Sequence, residues 1–117
     1  MKTEIRYTLE KGRGVFATAD IAPGEIIEVC QLILMAMDDI QGVLEAYIFQ
    51  YKKDVAAVAL GNGSLYNHSD RPNTEFYFNF KKKVLIFRAL KRISANTEIT
   101  VNYRYTPSEK KRFSIKS

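Results

Sequence analysis

One cysteine and one histidine are all that this 117-residue chain offers to a disulfide or a soft metal. Cys30 alone excludes an intramolecular disulfide and a thiolate cluster for zinc. With His68 the single imidazole, a structural zinc site would need mostly carboxylate ligands, which is unusual, so no bound metal is expected. Cys30 itself, set in Ile26-Ile27-Glu28-Val29-Cys30-Gln31-Leu32, reads as a small buried hydrophobe. No apolar run approaches the roughly 20 residues of a membrane span. No charged-then-apolar leader opens the sequence, so the chain reads as cytoplasmic, or nuclear in a eukaryotic or viral setting, and neither secreted nor membrane-bound. Repeats, linkers and low-complexity blocks are also missing, and the length suits one hydrophobic core. Residues 1–117 therefore read as a single domain.

What is present is a packed composition, 46% apolar and 12% aromatic, which argues against disorder. The net charge of +5 is unevenly spread. Residues 1–80 hold seven basic and eleven acidic side chains, whereas residues 81–117 hold eleven basic and two acidic. The basic end reads as a solvated tail or as a dock for an acidic partner, and the acidic front could steer a basic peptide. Only Lys81-Lys82-Lys83 and Lys110-Lys111-Arg112 cluster, and the first sits where a hairpin turn is expected, so nucleic acid is not the favoured partner.

The chain punctuates into short apolar runs. Ile5–Leu9 alternates up to Gly12-Arg13-Gly14, Val15–Ala19 follows, and Ala22-Pro23-Gly24-Glu25 is a turn. Residues 25–35 form a long β-branched run. Ile40, Val43, Leu44, Tyr47 and Ile48 fall at helical spacing, predicting a helix from Ile40 to about Gln50 that Gly42 weakens. Val55–Leu60 reads as a strand ending at Gly61-Asn62-Gly63. Thr74, Phe76, Phe78 and Phe80 alternate with polar positions before Lys81–Lys83 turns the chain into Val84–Arg88, a hairpin with a buried aromatic face. Ile99–Val101 is the last strand, and Pro107 precedes a short helical stretch. The total is mostly β, several small sheets with one or two short helices, rather than a sandwich.

Two segments remain that no simple site explains. Leu65-Tyr66-Asn67-His68-Ser69-Asp70-Arg71-Pro72-Asn73 sets the only histidine beside an asparagine in a polar turn, and Glu98-Ile99-Thr100-Val101-Asn102-Tyr103 ends a strand on a tyrosine. Neither suits a metal, a phosphate loop or a nucleophilic triad. Together they resemble the N-H-S-x-x-P-N and E-[LI]-T-x-x-Y signatures of the SET-domain lysine methyltransferases. Gly12-Arg13-Gly14-Val15-Phe16-Ala17 and Ile21-Ala22-Pro23-Gly24-Glu25-Ile26-Ile27 are similar to the two opening motifs of that family, in the same order. Tyr47-Ile48-Phe49 and Ala59-Leu60-Gly61-Asn62-Gly63 resemble stretches of its smallest members, from large viruses and bacteria. Arg104 and Asn96-Thr97 depart from the family pattern, and the cysteine-rich flanking modules are missing.

The resemblance implies the β-clip SET fold with a C-terminal pseudoknot, and a zinc-free lid from residues 104–117. It also implies a protein-lysine N-methyltransferase that uses S-adenosylmethionine. Tyr103 would be the catalytic tyrosine, orienting the reacting groups rather than acting as a base. Gly12, Arg13, Gly14, Asn67, His68 and Phe113 would hold the cofactor: the glycines by letting the backbone approach it, Arg13 and His68 through backbone groups, Asn67 by its side chain, and Phe113 by stacking on adenine. Tyr47, Phe76, Val101 and Tyr105 would line the lysine channel. Phe76 and Val101 carry no hydroxyl where a tyrosine would limit methylation, so di- or trimethylation of a histone-like or other basic tail is expected. A homodimer or the lid would complete the substrate groove. The rival readings are a catalytically inactive SET-fold interaction module and a basic nucleic-acid binder using residues 81–117.

Overall fold

The computed structural model describes residues 1–103. Arg104, Tyr105, Phe113 and the expected 104–117 lid lie outside the described residues. The strands are β1 (Thr3–Thr8), β2 (Gly12–Ala17), β3 (Ile26–Ala36), β4 (Ile48–Lys52), β5 (Val55–Ala59), β6 (Asn67–His68), β7 (Thr74–Asn79), β8 (Val84–Ala89) and β9 (Thr100–Val101). They form an antiparallel β1–β2 pair, a five-stranded antiparallel sheet in the order β4-β5-β3-β8-β7, and a parallel β6–β9 pair. Mostly β in several small sheets, as the short uneven runs imply, is what the chain adopts.

The long apolar run becomes the central strand. β3 is eleven residues long and serves two partners: its first part pairs with β8 (Val29 opposite Ile86, Cys30 opposite Leu85), its second with β5 (Leu32 opposite Ala59, Leu34 opposite Ala57). The β3–β8 register slips between Ile26 and Glu28, leaving Ile27 as an extra residue. A bulge of one residue reverses which face the following side chains take. Ile27 and Glu28 are consequently both buried although adjacent in sequence, and Cys30 is buried on the same side as Glu28. A carboxylate in the middle of an apolar strand thus points into the protein.

The expected helix over residues 40–50 does not form. The chain runs through a 3-10 turn at Met37–Asp39 and a second at Gly42–Tyr47, then extends into β4. Gly42 takes a φ of +63°, outside the α region, and Val43 is 82% exposed while Ile40 is buried, so the apolar residues do not share one helical face. Pairing of Ile48 with Val58 and Phe49 with Ala57 supplies the backbone hydrogen bonds, and β-strand alternation buries Phe49 and Tyr51. Tertiary pairing has overridden the local 3.6-residue pattern.

The β7–β8 hairpin has the expected turn, with Thr74 opposite Ala89 and Asn79 opposite Val84. Its inner face buries Thr74, Phe76, Leu85, Phe87 and Ala89. Glu75 is buried as well, opposite Arg88, whose guanidinium pairs with it and lies 5.4 Å over the Tyr77 ring. The core gathers Val15, Ile21, Cys30, Tyr66, Phe76, Leu85, Phe87, Ile93, Ile99 and Val101. Phe87 is fully buried, with its ring 4.4 Å from that of Tyr66 and 6.0 Å from that of Phe76. Truncating it should leave a cavity where three strands meet. Phe87→Ala is expected to lower the unfolding free energy by about 3–5 kcal/mol, and Tyr7→Ala, on an exposed strand face, by less than about 0.5 kcal/mol; urea unfolding followed by circular dichroism measures both.

Candidate active site

The parallel pairing of β6 with β9 sets Asn67 against Thr100 and His68 against Val101. Two residues of ladder are too little to hold a strand pair, and side chains of the flanking turns supply the rest. Asn73, itself buried, donates from Nδ2 to the Glu98 carbonyl at 2.8 Å. Its Oδ1 accepts the Thr100 amide at 2.9 Å and the Thr74 hydroxyl at 3.0 Å. The Ser69 amide donates to the Val101 carbonyl at 2.9 Å. The residues that end the Asn-His turn therefore clamp the strand that leads to Tyr103.

Asn67 lies at the meeting point of three segments. Its Nδ2 donates to the Arg13 carbonyl at 2.9 Å and to Glu98 Oε2 at 2.7 Å, which leaves Oδ1 as the acceptor of the side chain. Glu98, whose role the sequence reading missed, also receives Lys11 Nζ at 3.4 Å on its other oxygen. Gly14 is small because of these side chains: a Cβ there would sit 2.5 Å from Glu98 Oε2 and 3.0 Å from Asn67 Nδ2. Gly12 has open space where a Cβ would go, but its φ of +71° favours glycine. Within the protein itself the two glycines thus have different reasons. The signal for Glu98 was available, since it opens the last motif.

His68 is used within the protein through its ring. Its Nδ1 accepts the Tyr103 amide at 3.1 Å and its Nε2 lies 3.0 Å from Asp70 Oδ1. With Nδ1 accepting, Nε2 is the nitrogen that donates to Asp70. The imidazole stacks on the Tyr103 ring at 6.3 Å. Tyr103 is partly exposed, yet its hydroxyl is turned inward and donates to the Tyr66 carbonyl. Loss of hydration there pushes its phenol up to about 12. Its ring centroid is 5.9 Å from that of Phe49 and 6.2 Å from that of Phe76, and Phe49 lies 5.3 Å from Phe76, edge to face.

These groups open on a cleft of about 690 Å³, lined among others by Lys11, Arg13, Tyr47, Phe49, Ser64, Tyr66, Asn67, His68, Phe76 and Tyr103. That volume lies in the range of small-molecule sites. Of the residues singled out from sequence, Arg13, Asn67, His68, Tyr47, Phe76 and Tyr103 come together here. Val101 does not line it: the residue is fully buried in the core, because its side chain falls on the inner face of β9. Tyr47 arrives from the end of a 3-10 turn instead of a helix, and its carbonyl accepts the Ser64 hydroxyl at 3.1 Å. Phe49, buried between Phe76 and Tyr103, was read only as part of a motif, although its alternation with Tyr51 carried the signal. Tyr66 was likewise passed over despite standing next to Asn67. Tyr105 and Phe113 lie outside the described residues.

A cationic and acceptor-bearing end at Lys11, Arg13 and Asn67, and an aromatic end at Phe49, Phe76 and Tyr103, suit a zwitterionic ligand and an alkyl-ammonium chain respectively.

Comparison with known proteins accounts for this arrangement. Residues 12–104 match the family described as SET domain. The chain is 30% identical over 105 residues to a histone-lysine N-methyltransferase, H3 lysine-37 specific, of Schizosaccharomyces pombe, covering 86% of this chain and 71% of that one. Its fold is similar to that of a candidate histone methyltransferase of Plasmodium falciparum, with a TM-score of 0.76, 32% identity, and 92% of this chain and 96% of that chain covered. It also resembles Kryptonite, solved with DNA, an H3 peptide and SAH, with a TM-score of 0.71 and 20% identity over 90% of this chain and 24% of that one. The chain belongs to the SET domain family.

Proposed function

We propose that this protein transfers methyl groups from S-adenosylmethionine to the side-chain amine of lysines in a histone-like or other basic protein tail. The observation that carries the reading is the convergence of Asn67, His68 and Tyr103 on one cleft, brought about by the parallel β6–β9 pairing. The identity to a histone-lysine methyltransferase of fission yeast supports the reaction class, and the Kryptonite complex supports a fold able to hold SAH beside a histone peptide.

The residues fit the cofactor. Asn67 Oδ1 can accept from an ammonium because both hydrogens of Nδ2 are already taken, while the charges of Lys11 and Arg13 suit a carboxylate. When bound, S-adenosylmethionine supplies the methyl group on a sulfonium, a leaving group for in-line displacement. The protein has to present a neutral amine and align it. Free lysine has a pKa near 10.4, so an apolar channel that disfavours its charged form makes amine available at neutral pH. Phe49, Phe76 and Tyr103 are the aromatic rings of the cleft that such a chain would meet. The Tyr103 hydroxyl, tied to the Tyr66 carbonyl, acts by position, and it stays protonated through the neutral range because its pKa is pushed up to about 12.

Four outcomes follow. Calorimetric titration with S-adenosylmethionine is expected to give saturable one-site binding that Asn67→Ala abolishes; no binding, with or without a lysine peptide, would move the assignment to an inactive interaction module. Tyr103→Phe is expected to lower turnover roughly 100-fold. Between pH 7 and 10 the rate should rise as the substrate amine loses its proton, with the same shape in wild type and variant, since the phenol does not titrate there. An inflection present only in the wild type would instead mark Tyr103 as a base. Mass spectrometry of methylated peptides is expected to reach di- or trimethyl-lysine, because Phe76 places no hydroxyl beside Tyr103; accumulation that stops at monomethyl-lysine would refute this.

A further inference from the structure

Beneath the cleft lies a buried carboxylate that the reading above does not use. Glu28 is 7% exposed, turned inward by the bulge at Ile27. It faces donors. Oε1 accepts the Tyr66 hydroxyl at 2.5 Å and Oε2 accepts the Asn62 amide at 3.0 Å. Burial, and after it the charge of the same carboxylate, push the Cys30 thiol up to about 12. The turn that carries Asn62 and Tyr66 is shaped to reach it. Gly61 holds a φ of +72°, and a Cβ there would run into Glu28 Oε2. A Cβ at Gly63 would lie 2.5 Å from Ala59 Cβ and 3.0 Å from Cys30 Sγ. The turn is thus pressed onto β3, and one carboxylate ties both of its ends.

Tyr66 passes this restraint on. Its ring is 1% exposed and packs on Phe87, so it cannot move without its backbone. Its carbonyl receives the Tyr103 hydroxyl, and the next residue is Asn67. We infer that Glu28, acting through Tyr66, is a positioning residue that sets where the Tyr103 hydroxyl stands in the cleft. This rests on the methyltransferase reading only for its consequence in turnover. The carboxylate suits the task because it has two acceptor oxygens for two fixed donors. Glutamine, of the same shape, offers one acceptor and one donor, so with its oxygen on the Asn62 amide the Tyr66 hydroxyl has to turn from donor to acceptor and the charge-assisted contact is lost. A supporting layer of this kind decides whether a site is held within the few tenths of an ångström that chemistry needs.

The test uses the full chain and the variants Glu28→Gln, Tyr66→Phe and Tyr103→Phe, singly and with Tyr103→Phe combined with each of the others. Glu28→Gln and Tyr66→Phe are expected to lower kcat about 10- to 100-fold with KM for the peptide little changed. Combined with Tyr103→Phe, neither should lower kcat below that of Tyr103→Phe alone, because both act through the same hydroxyl. Losses that multiply, or a change confined to KM, overturn the inference and leave Glu28 a merely structural group. A second readout is independent of turnover: the carbonyl 13C resonance of Tyr66. It is expected to move upfield in Tyr103→Phe, where the donor is gone, and in the same direction in Glu28→Gln. A wild-type resonance in Glu28→Gln overturns the inference even if no substrate has been found. If Tyr103→Phe turns over like the wild type while the resonance moves in both variants, the restraint stands and the role of Tyr103 in methyl transfer falls.

Discussion

Four residues of parallel ladder, Asn67 and His68 against Thr100 and Val101, decide where every polar group of the cleft stands. Residues more than thirty positions apart are laid side by side, and each of the interactions that matters follows from that juxtaposition. Asn67 can bridge to Glu98, His68 can receive the Tyr103 amide, and the Tyr103 hydroxyl can reach the Tyr66 carbonyl. The ladder is too short to be stable on hydrogen bonds between its own backbones. It persists because Asn73, Ser69 and Thr100 extend it with side-chain and turn hydrogen bonds, and because Ile99 and Val101 bury completely beneath it.

A single-residue slip sets the other half of the arrangement. Without the register slip at Ile27, regular strand alternation would send Glu28 to the outer face of the sheet, the face of Ile26. With it, the carboxylate enters the interior, where it would be costly unless met by donors. Tyr66 and Asn62 meet it, and the energy that burial demands is recovered in hydrogen bonds that also locate the segment leading to Asn67. The burial and charge that push the Cys30 thiol up to about 12 come from the same compact environment, and they keep that thiol protonated and unreactive.

The aromatic side of the cleft shows a division of labour between burial and access. Phe49 and Phe76 are nearly completely buried and form its floor, whereas Tyr103 keeps partial exposure at its edge. Rings met edge to face hold one another without filling the space in front of them. Tyr47 enters from a 3-10 turn whose position is fixed from outside the turn, by the Ser64 hydroxyl on its carbonyl.

Much of this was legible in the chain itself. Uneven β runs, the β7–β8 hairpin with its lysine turn, and the order of the four glycine, asparagine-histidine and tyrosine motifs follow from local composition, because strand alternation and turn residues act over a few positions. The helical spacing of Ile40, Val43 and Tyr47 misled, since Gly42 with its positive φ and the open edge of β5 favoured an extended chain. Val101 was placed in the channel by counting from Tyr103, but which face of a two-residue strand turns inward depends on its partner strand. Glu28 and Glu98 carried no visible role for the same reason: their partners stand thirty or more positions away, and only the bulge and the parallel pairing bring them within hydrogen-bonding distance. The sequence by itself determined the family, most of the strands and the residue types available for chemistry. The tertiary structure alone decided which of those side chains meet, because that depends on register, and register is settled by packing across the sheets.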